Sequence, residues 1–267
     1  MTATDATAAS NPIVIGISSC LLGEKVRFDG GHKHQSYITE TLGQYFTFRP
    51  FCPEMAIGLG APRETLRLVE RDGDIRCVGN KTATLDVTDA LRNIAHEQKS
   101  WHADLCGYIL KKDSPSCGME RVKVYSTSMG ERKGAGLYAQ VLLQNFPNLP
   151  VEEEGRLGDA VLRENFLKRV FAYRHWRDME QQGWTLRRLT EFHAQYKYVL
   201  LSHNQHRTRE LGKRLAQAGK EPVAEVAAWY FAEWMTILKQ RATTRNHVNV
   251  LTHLQGFLKK HLDADDK

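Results

Sequence analysis

Apolar and polar positions follow two regimes along the chain. In the first half, short β-branched runs predict buried strands at Pro12–Ser18 (P-I-V-I-G-I-S), Tyr45–Phe51 and Leu105–Leu110, the last with Gly107 inside it. Each run ends in a polar turn that carries a cysteine: Ser18-Ser19-Cys20, Cys52-Pro53-Glu54, and Lys111-Lys112-Asp113 leading into Ser114-Pro115-Ser116-Cys117-Gly118. Stretches such as Leu85–Trp101 between them read as helix. This alternation predicts an α/β fold with a Rossmann-like, doubly wound parallel sheet, in which ligands bind beyond the carboxyl ends of the strands. Cys20, Cys52 and Cys117 fall there.

From Leu157 the apolar period changes to about 3.6. Leu162, Phe166, Val170 and Tyr173 share one face, and Leu189, Phe192, Tyr196 and Val199 share another. Thr185 reads as an N-cap, Gly219 as a stop, Pro222 as a first-turn proline, and Val248, Leu251, Leu254 and Leu258 as the stripe of a last helix. The second half is therefore expected to be all-α. Proline, an acidic run and glycine within Asn148–Gly155 break both patterns and predict the boundary. That assigns 12–150 to an α/β domain, 151–267 to a helical domain and 1–11 to a disordered polar extension.

Composition narrows the class. With 42% apolar and 25% charged residues, the chain is not disordered as a whole. No run approaches the ~18 to 20 apolar residues that span a bilayer, and the start is small and polar, so a cytoplasmic protein without membrane partners is expected. The five cysteines are odd in number and lie in the first half, which argues against a disulfide framework. Residues 151–267 hold +5 of the net +6 and seven of the eleven histidines. Such a surplus suits a polyanion such as RNA and equally suits a solvated helical surface. Within it, Phe192, His193, Lys197, His203, Asn204, His206, Arg207, Arg209, Lys213 and Arg214 combine basic and aromatic groups fit for phosphate and base contacts, although the aromatic stripe reads first as core.

Three thiolates converging from separate loops form a soft pocket for zinc or an iron-sulfur cluster, and the spacing does not choose between them. No C-x-x-C pair is present. With three ligands only, one cluster iron would lack a protein thiolate and stand open to substrate. The opposite interpretation is three unrelated core cysteines, a role that suits Cys77 and Cys106 better, since both sit in strand-like segments. Glu54 is a candidate general base beside Cys52, and Ser116 a candidate proton relay beside Cys117. Ser18, Ser19, Asp29 and Ser114 are weaker candidates for substrate binding, with turn formation or capping an equal role for Ser18, Asp113 and Ser114. Gly58–Arg63 could seat an anion but reads first as a plain turn, and His32 and His34 are outside candidates for metal.

These motifs resemble the thiouracil desulfidase (TudS) family: V-I-G-I-S-S-C-L-L-G at Val14–Gly23, V-R-F-D-G at Val26–Gly30, F-C-P-E at Phe51–Glu54 and K-D-S-P-S-C-G at Lys112–Gly118. Further on, L-P-V-E-E-E-G-R-L from Leu149, R-E-N-F from Arg163, F-H-A-Q-Y-K from Phe192 and N-V-L-T-H-L-Q-G from Asn249 are similar to the YbgA-like helical domain. The fusion resembles the RudS-type desulfidases that remove sulfur from 4-thiouridine in tRNA. The resemblance implies a [4Fe-4S] cluster on Cys20, Cys52 and Cys117 with one iron free of protein ligands. It further implies that the thiocarbonyl sulfur binds that iron, that water attacks the ring carbon, and that hydrosulfide leaves without net redox. Glu54 and Ser116 fall on the family's catalytic positions, as acid/base and as relay. In that family the helical domain usually continues for several helices past its last motif, whereas Lys267 follows soon after Leu262 here. Intact tRNA and a free thiolated uracil nucleotide therefore both stand as expected substrates. Two other classes remain beside them: a non-catalytic RNA-binding protein with a structural three-cysteine metal site, and an enzyme using one cysteine as nucleophile.

Overall fold

The computed structural model describes residues 12–82, 84–126 and 129–261. The expected extension 1–11 lies outside them. The chain divides into two units, Met1–Asp159 and Ala160–Lys267.

The first unit is built on the predicted parallel sheet. Strand β1 (Ile13–Ser18) lies between β2 (Phe46–Phe51) and β5 (Gly107–Leu110), and β8 (Val151–Glu153) completes the order β2-β1-β5-β8, every pair parallel. Central strands covered on both faces read as unbroken apolar runs, which is why the sequence marks β1 and β5 so clearly. Gly16 is required where β1 passes Tyr108, because a Cβ there would come 2.4 Å from the ring. The chain leaves β1 for β2 on one side and reaches β5 on the other. This change of direction opens a crevice at the carboxyl ends of the strands.

A second sheet was not expected. Strands β3 (Leu66–Arg71), β4 (Asp74–Gly79), β6 (Val122–Tyr125) and β7 (Gly130–Gly134) form a mixed sheet in the order β4-β3-β6-β7. The β3–β4 hairpin turns at Asp72-Gly73, both at positive φ (50° and 79°), as a two-residue primed turn requires. Leu68, Cys77, Val122 and Val124 from this sheet pack against Val87, Leu91 and Leu137. Cys77 and Cys106 are buried, consistent with core roles. The remaining helices of the unit are α1 (Pro53–Ala56), α2 (Thr88–Glu97), α3 (Lys99–His102) and α4 (Leu137–Asn145). The expected Leu85–Trp101 helix is thus split, and its first residues serve the second sheet instead: Asp86 bridges to Val78 and the Thr88 hydroxyl accepts from Cys77 N at 2.8 Å.

The division between the units corrects the expected boundary at 150/151. Val151–Glu153 is a strand paired with β5, so the acidic segment belongs to the α/β unit, and the helices begin at Ala160.

The second unit consists of α5 (Ala160–Gln181), α6 (Leu186–His203), α7 (Gln205–Gln217), α8 (Val223–Lys239) and α9 (Thr244–His261). Its core is aromatic: Trp176 stacks on Phe231 at 4.7 Å, and Phe192 meets Trp234 edge-on at 5.0 Å. Thr185 caps α6, accepting from Arg188 N at 3.2 Å. Pro222 is the N-cap of α8 rather than its first helical residue. Of the predicted stripe on α9, Val248, Leu251 and Leu258 are exposed and Leu254 alone is half-buried. Periodicity reports a helix's apolar face, not what covers it.

Candidate active site

Each of the three candidate cysteines leaves a strand of the parallel sheet by a different local device. Cys20 sits in a 3₁₀ turn, Ser19–Leu22, closed by Gly23 at φ 98°. Cys52 is the N-cap of α1, with Pro53 in the first position, so Glu54 enters the first turn. Cys117 lies in a loop folded around Ser114, whose Oγ accepts from Ser116 N at 3.3 Å and Cys117 N at 3.1 Å. The start of α4 completes that loop: Leu137 N donates to Pro115 O and Ala139 N to Ser116 O, both at 3.1 Å.

The turns enclose one cavity of about 330 Å³. Its lining includes Cys20, Cys52, Cys117, Glu54 and Ser116, and also Ser18, Ser19 and Ser114. Asp29 is not among the lining residues. Its carboxylate is exposed and accepts from Gly31 N at 3.0 Å, a turn-forming role. Ser18 is buried, and its Oγ accepts from Lys111 N at 3.0 Å, tying β1 to the Cys117 loop. The outside candidates His32 and His34 are exposed and engaged locally, His34 Nε2 with Thr39 Oγ at 3.0 Å and His32 Nδ1 with His34 N at 3.2 Å.

All three thiols are shifted upward. Burial and then the Cys52 charge raise Cys20 to about 11, against the pull of Lys111 and Arg27. Burial raises Cys52, and burial followed by the charges of Cys52 and Glu54 raises Cys117. Three thiolates in this cavity would repel one another without a compensating cation. A thiophilic metal group supplies that compensation, so the donor set fits one. Among the described residues no three His, Cys, Asp or Glu side chains close on a single-ion site. The thiols instead stand around the cavity.

Glu54 is held from both sides. Arg63 Nε and Nη2 donate to its Oε2 at 2.8 and 2.5 Å, while the Ser116 hydroxyl donates to Oε1. Arg63 Nη1 bonds Val26 O at 2.9 Å and Gly60 O at 2.6 Å. Ser114 Oγ lies 3.0 Å from Ser116 Oγ and extends the chain of hydroxyls. The Gly58–Arg63 turn thus points its cation inward at a carboxylate rather than outward at an anion, a role the sequence did not reveal.

The acidic run after Pro150 also has a purpose that its sequence concealed. Glu154 accepts from Lys111 Nζ at 2.5 Å and Lys112 N at 2.7 Å, and Glu153 Oε1 accepts from Met119 N at 2.8 Å. Together they hold the Cys117 loop at both ends. Burial raises the Glu153 pKa.

In the helical unit, several candidates for RNA contact are structural. Phe192 is core, His193 Nδ1 meets Tyr230 OH at 3.1 Å, buried His203 bonds Gln240 O, and Asn204 caps α7 through Arg207 N at 2.9 Å. Lys197, His206, Arg209, Lys213 and Arg214 are exposed, while Arg207 is half-buried and paired with Glu233.

A parallel sheet that gathers three cysteines, a carboxylate and a hydroxyl in one crevice defines a thiol-lined α/β enzyme site. Residues 15–154 match the family described as 2-thiouracil desulfurase, and the chain belongs to that family. Residues 197–267 match a family of unknown function, DUF1722. Over 105 residues the chain is 30% identical to an uncharacterized protein, YbgA, of Escherichia coli, covering 39% of this chain and 62% of that relative's length. It is 26% identical over 140 residues to an uncharacterized protein, YbbK, of Bacillus subtilis, covering 49% of this chain and 90% of that one. A solved [4Fe-4S]-dependent thiouracil desulfidase, TudS, is similar at 30% identity and a TM-score of 0.44, over 56% of this chain and 95% of that one. Among the described residues no helix is long and apolar enough to cross a membrane.

Proposed function

We propose that this thiouracil desulfidase is [4Fe-4S]-dependent and converts 4-thiouridine in tRNA to uridine, releasing hydrosulfide. The observation that carries this is the Glu54–Ser116 hydrogen bond in the same cavity as three thiols, Cys20 and Cys117 buried and Cys52 half-buried. Cys20, Cys52 and Cys117 would hold the cluster, which would leave one iron without a protein ligand. When bound, it supplies a Lewis-acidic, thiophilic centre for the thiocarbonyl sulfur.

The chain's own groups manage the water. Glu54, fixed by Arg63, accepts a proton from water through the Ser116 hydroxyl as the C–O bond forms at the ring carbon. The C–S bond then breaks, so that C=S and H₂O give C=O, HS⁻ and H⁺. Carbon and sulfur keep their oxidation states, and no external reductant is needed. Ser18, Ser19 and Ser114 supply polar atoms along the wall for the substrate's ring. A structural metal site would leave the Glu54–Ser116 pair without a task.

Charge supports an RNA substrate. Ala160–Lys267 carries 19 Lys and Arg against 11 Asp and Glu, a surplus of +8, while Met1–Asp159 is net −2. A base stacked in tRNA must turn out to reach the cavity, at a cost of roughly a few kcal/mol. Free thiolated uracil nucleotides are the second reading, favoured by a cavity lined wholly from the α/β unit. Five free cysteines suit the reducing cytoplasm, where tRNA is found.

The test is iron, zinc and acid-labile sulfide per chain in protein purified without oxygen, for the wild type and Cys20→Ala, Cys52→Ala, Cys117→Ala and Cys77→Ala. Loss of iron and sulfide in the first three variants but not the fourth, with desulfuration of thiolated tRNA by the wild type, is the expected result. Stoichiometric zinc, or one essential cysteine beside two dispensable ones, overturns it.

A further inference from the structure

The second sheet has a face that the reaction does not use. Leu68, Val122 and Val124 turn inward to the core, so the alternation of a strand sets Arg67, Val69 and Arg71 of β3, Lys123 and Tyr125 of β6, and Arg132 of β7 on the outer side. Arg67, Arg71, Lys123 and Arg132 are exposed, and Lys123 stands directly opposite Arg132. The carboxylates of these three strands are at the alternate positions: Glu70 and Glu131 both meet Lys133, at 2.9 and 3.2 Å. On β4 the outer side is neutral. Arg76, opposite Val69, pairs with Asp86 at 2.6 Å, and Asp74, opposite Arg71, is taken by Arg92 at 2.9 Å. Among the described residues Arg67, Arg71 and Lys123 meet no carboxylate.

An aromatic ring lies among these cations. Tyr125 is half-buried, and a Cβ on Gly130 would come 2.7 Å from its Cε1, so the missing side chain leaves room for the ring to lie across β7. The Arg67 guanidinium stands 5.9 Å from the ring centroid. Arg132 links the face to the site, since its one carboxylate partner, Asp113 at 2.7 Å, lines the cavity. Both members of that pair are about half exposed, so water screens it and little holds it together against a competing anion. Met1–Asp159 is net −2 as a whole, yet these four cations gather on one face.

Arg67 and Arg71 are spread along about 13 Å of strand, a span that suits several phosphates of a chain rather than a single anion. A ring flanked by cations on an open sheet adds a planar surface for an unpaired base. We propose that the outer face of β3, β6 and β7 is an RNA-docking surface, in which Arg67, Arg71, Lys123 and Arg132 hold phosphates of the strand that carries the thiolated nucleotide and Tyr125 takes a nearby base by stacking. This rests on the reading that the substrate base lies within RNA. It brings the α/β unit itself into RNA docking, in addition to the basic surplus of the helical unit.

The test is binding of unmodified tRNA to the iron-loaded protein by fluorescence anisotropy over a series of KCl concentrations, a measurement independent of turnover, together with kcat/KM for thiolated tRNA and for free 4-thiouridine. Arg67→Gln/Arg71→Gln/Lys123→Gln changes only exposed side chains. It is expected to weaken tRNA binding about tenfold and to make the slope of log Kd against log salt shallower by about two units, at roughly 0.7 to 0.9 per lost contact. Turnover of free 4-thiouridine, which is too small to reach the face from the cavity, should not change. Arg67→Lys/Arg71→Lys is expected to keep most of the affinity, and Tyr125→Ala to weaken binding with the slope unaltered, which separates stacking from charge. Lys133→Gln removes a cation of the same sheet at an alternate position and is the matched control, with an effect of about twofold at most. Unchanged affinity and slope in the triple variant, or an equal loss in Lys133→Gln, overturns the surface. Loss of binding to anionic lipid vesicles in the triple variant, with tRNA binding intact, overturns it as well. Binding of tRNA that depends on the three cations, without desulfuration of any thiolated compound, would keep the surface and overturn the reaction instead. Desulfuration of free nucleotides by a wild type that does not bind tRNA would overturn the surface and leave the desulfidase standing.

Discussion

Glu54 and Arg63 form a nearly buried pair in which two guanidinium nitrogens share one carboxylate oxygen, Oε2, and leave Oε1 to the Ser116 hydroxyl. A carboxylate bonded this way cannot rotate without breaking three hydrogen bonds. The oxygen that faces Ser116 is therefore fixed before substrate arrives, which is what proton transfer at a defined position requires. Glu54→Gln and Ser116→Ala are each expected to lower kcat by about 10² to 10⁴-fold with iron content unchanged, and the double variant to be little worse than Glu54→Gln alone. Arg63→Lys keeps the charge but not the fork, so an intermediate kcat is expected with KM nearly unchanged. Single-turnover desulfuration rates across the four variants check this, and additive losses in the double variant would separate the two groups.

Gly136 tests how tightly the Cys117 loop is fitted. A Cβ at that position would lie 2.5 Å from the carbonyl carbon and oxygen of Ser116 and 2.7 Å from Cys117 N. These are backbone atoms of the loop that carries both the hydroxyl and the thiol, and they have no side-chain freedom with which to yield. Gly136→Ala is expected to cost about 1 to 3 kcal/mol and to lower iron content and kcat together. Gly158→Ala, where a Cβ meets nothing within 4 Å, is the matched control and should leave both unchanged. Urea denaturation and iron analysis of the two variants decide the point.

What the sequence disclosed and what it hid divide along physical lines. β1 and β5 were legible because burial on both faces demands unbroken apolar runs, and the place of Cys20, Cys52 and Cys117 at one end of the sheet was legible because each follows such a run in a polar turn. The second sheet was not, since strands such as Gly130–Gly134 are mostly polar and exposed and leave no alternation to read. Glu152–Glu154 read as part of a domain boundary, yet Glu152 and Glu153 are buried and Glu154 half-buried, with Glu153 and Glu154 taking the backbone N–H groups of a loop far away in sequence. Arg63 was hidden for the same reason. A charge is placed by its partner, and partners distant in sequence leave no local pattern.

His102 makes stability depend on pH. It is buried among Trp101, Tyr108, Tyr138 and Phe146, with Nε2 at 2.6 Å from Tyr138 OH, and burial lowers its pKa to about 4. The unfolded chain, with an ordinary histidine near 6.5, binds a proton first as pH falls. Between about pH 6.5 and 4 the unfolded state therefore holds more protons, and stability decreases by an amount on the order of 2 kcal/mol before levelling off for this group. His102→Gln removes the titration, so the difference between wild-type and variant unfolding free energies should change across that window and be flat above pH 7. Urea midpoints at half-unit pH steps measure it, and a difference independent of pH would mean that His102 titrates normally.

The uneven division of charge separates the two candidate substrates by their response to salt. A mononucleotide engages only the cavity, with one phosphate, whereas tRNA offers a phosphate at every nucleotide to the helical unit with its surplus of +8. Each phosphate neutralised by Lys or Arg releases counterion, so log(kcat/KM) falls with log salt at a slope of roughly −0.7 to −0.9 per contact. For thiolated tRNA the slope between 50 and 300 mM KCl is expected to reach about −3 or steeper, and for 4-thio-UMP about −1. Lys197→Gln/Arg209→Gln, exposed on α6 and α7, should make the tRNA slope shallower by one to two units without altering that of the mononucleotide. Equal slopes for the two substrates would place every productive phosphate contact at the cavity and leave the helical surface with no part in RNA docking.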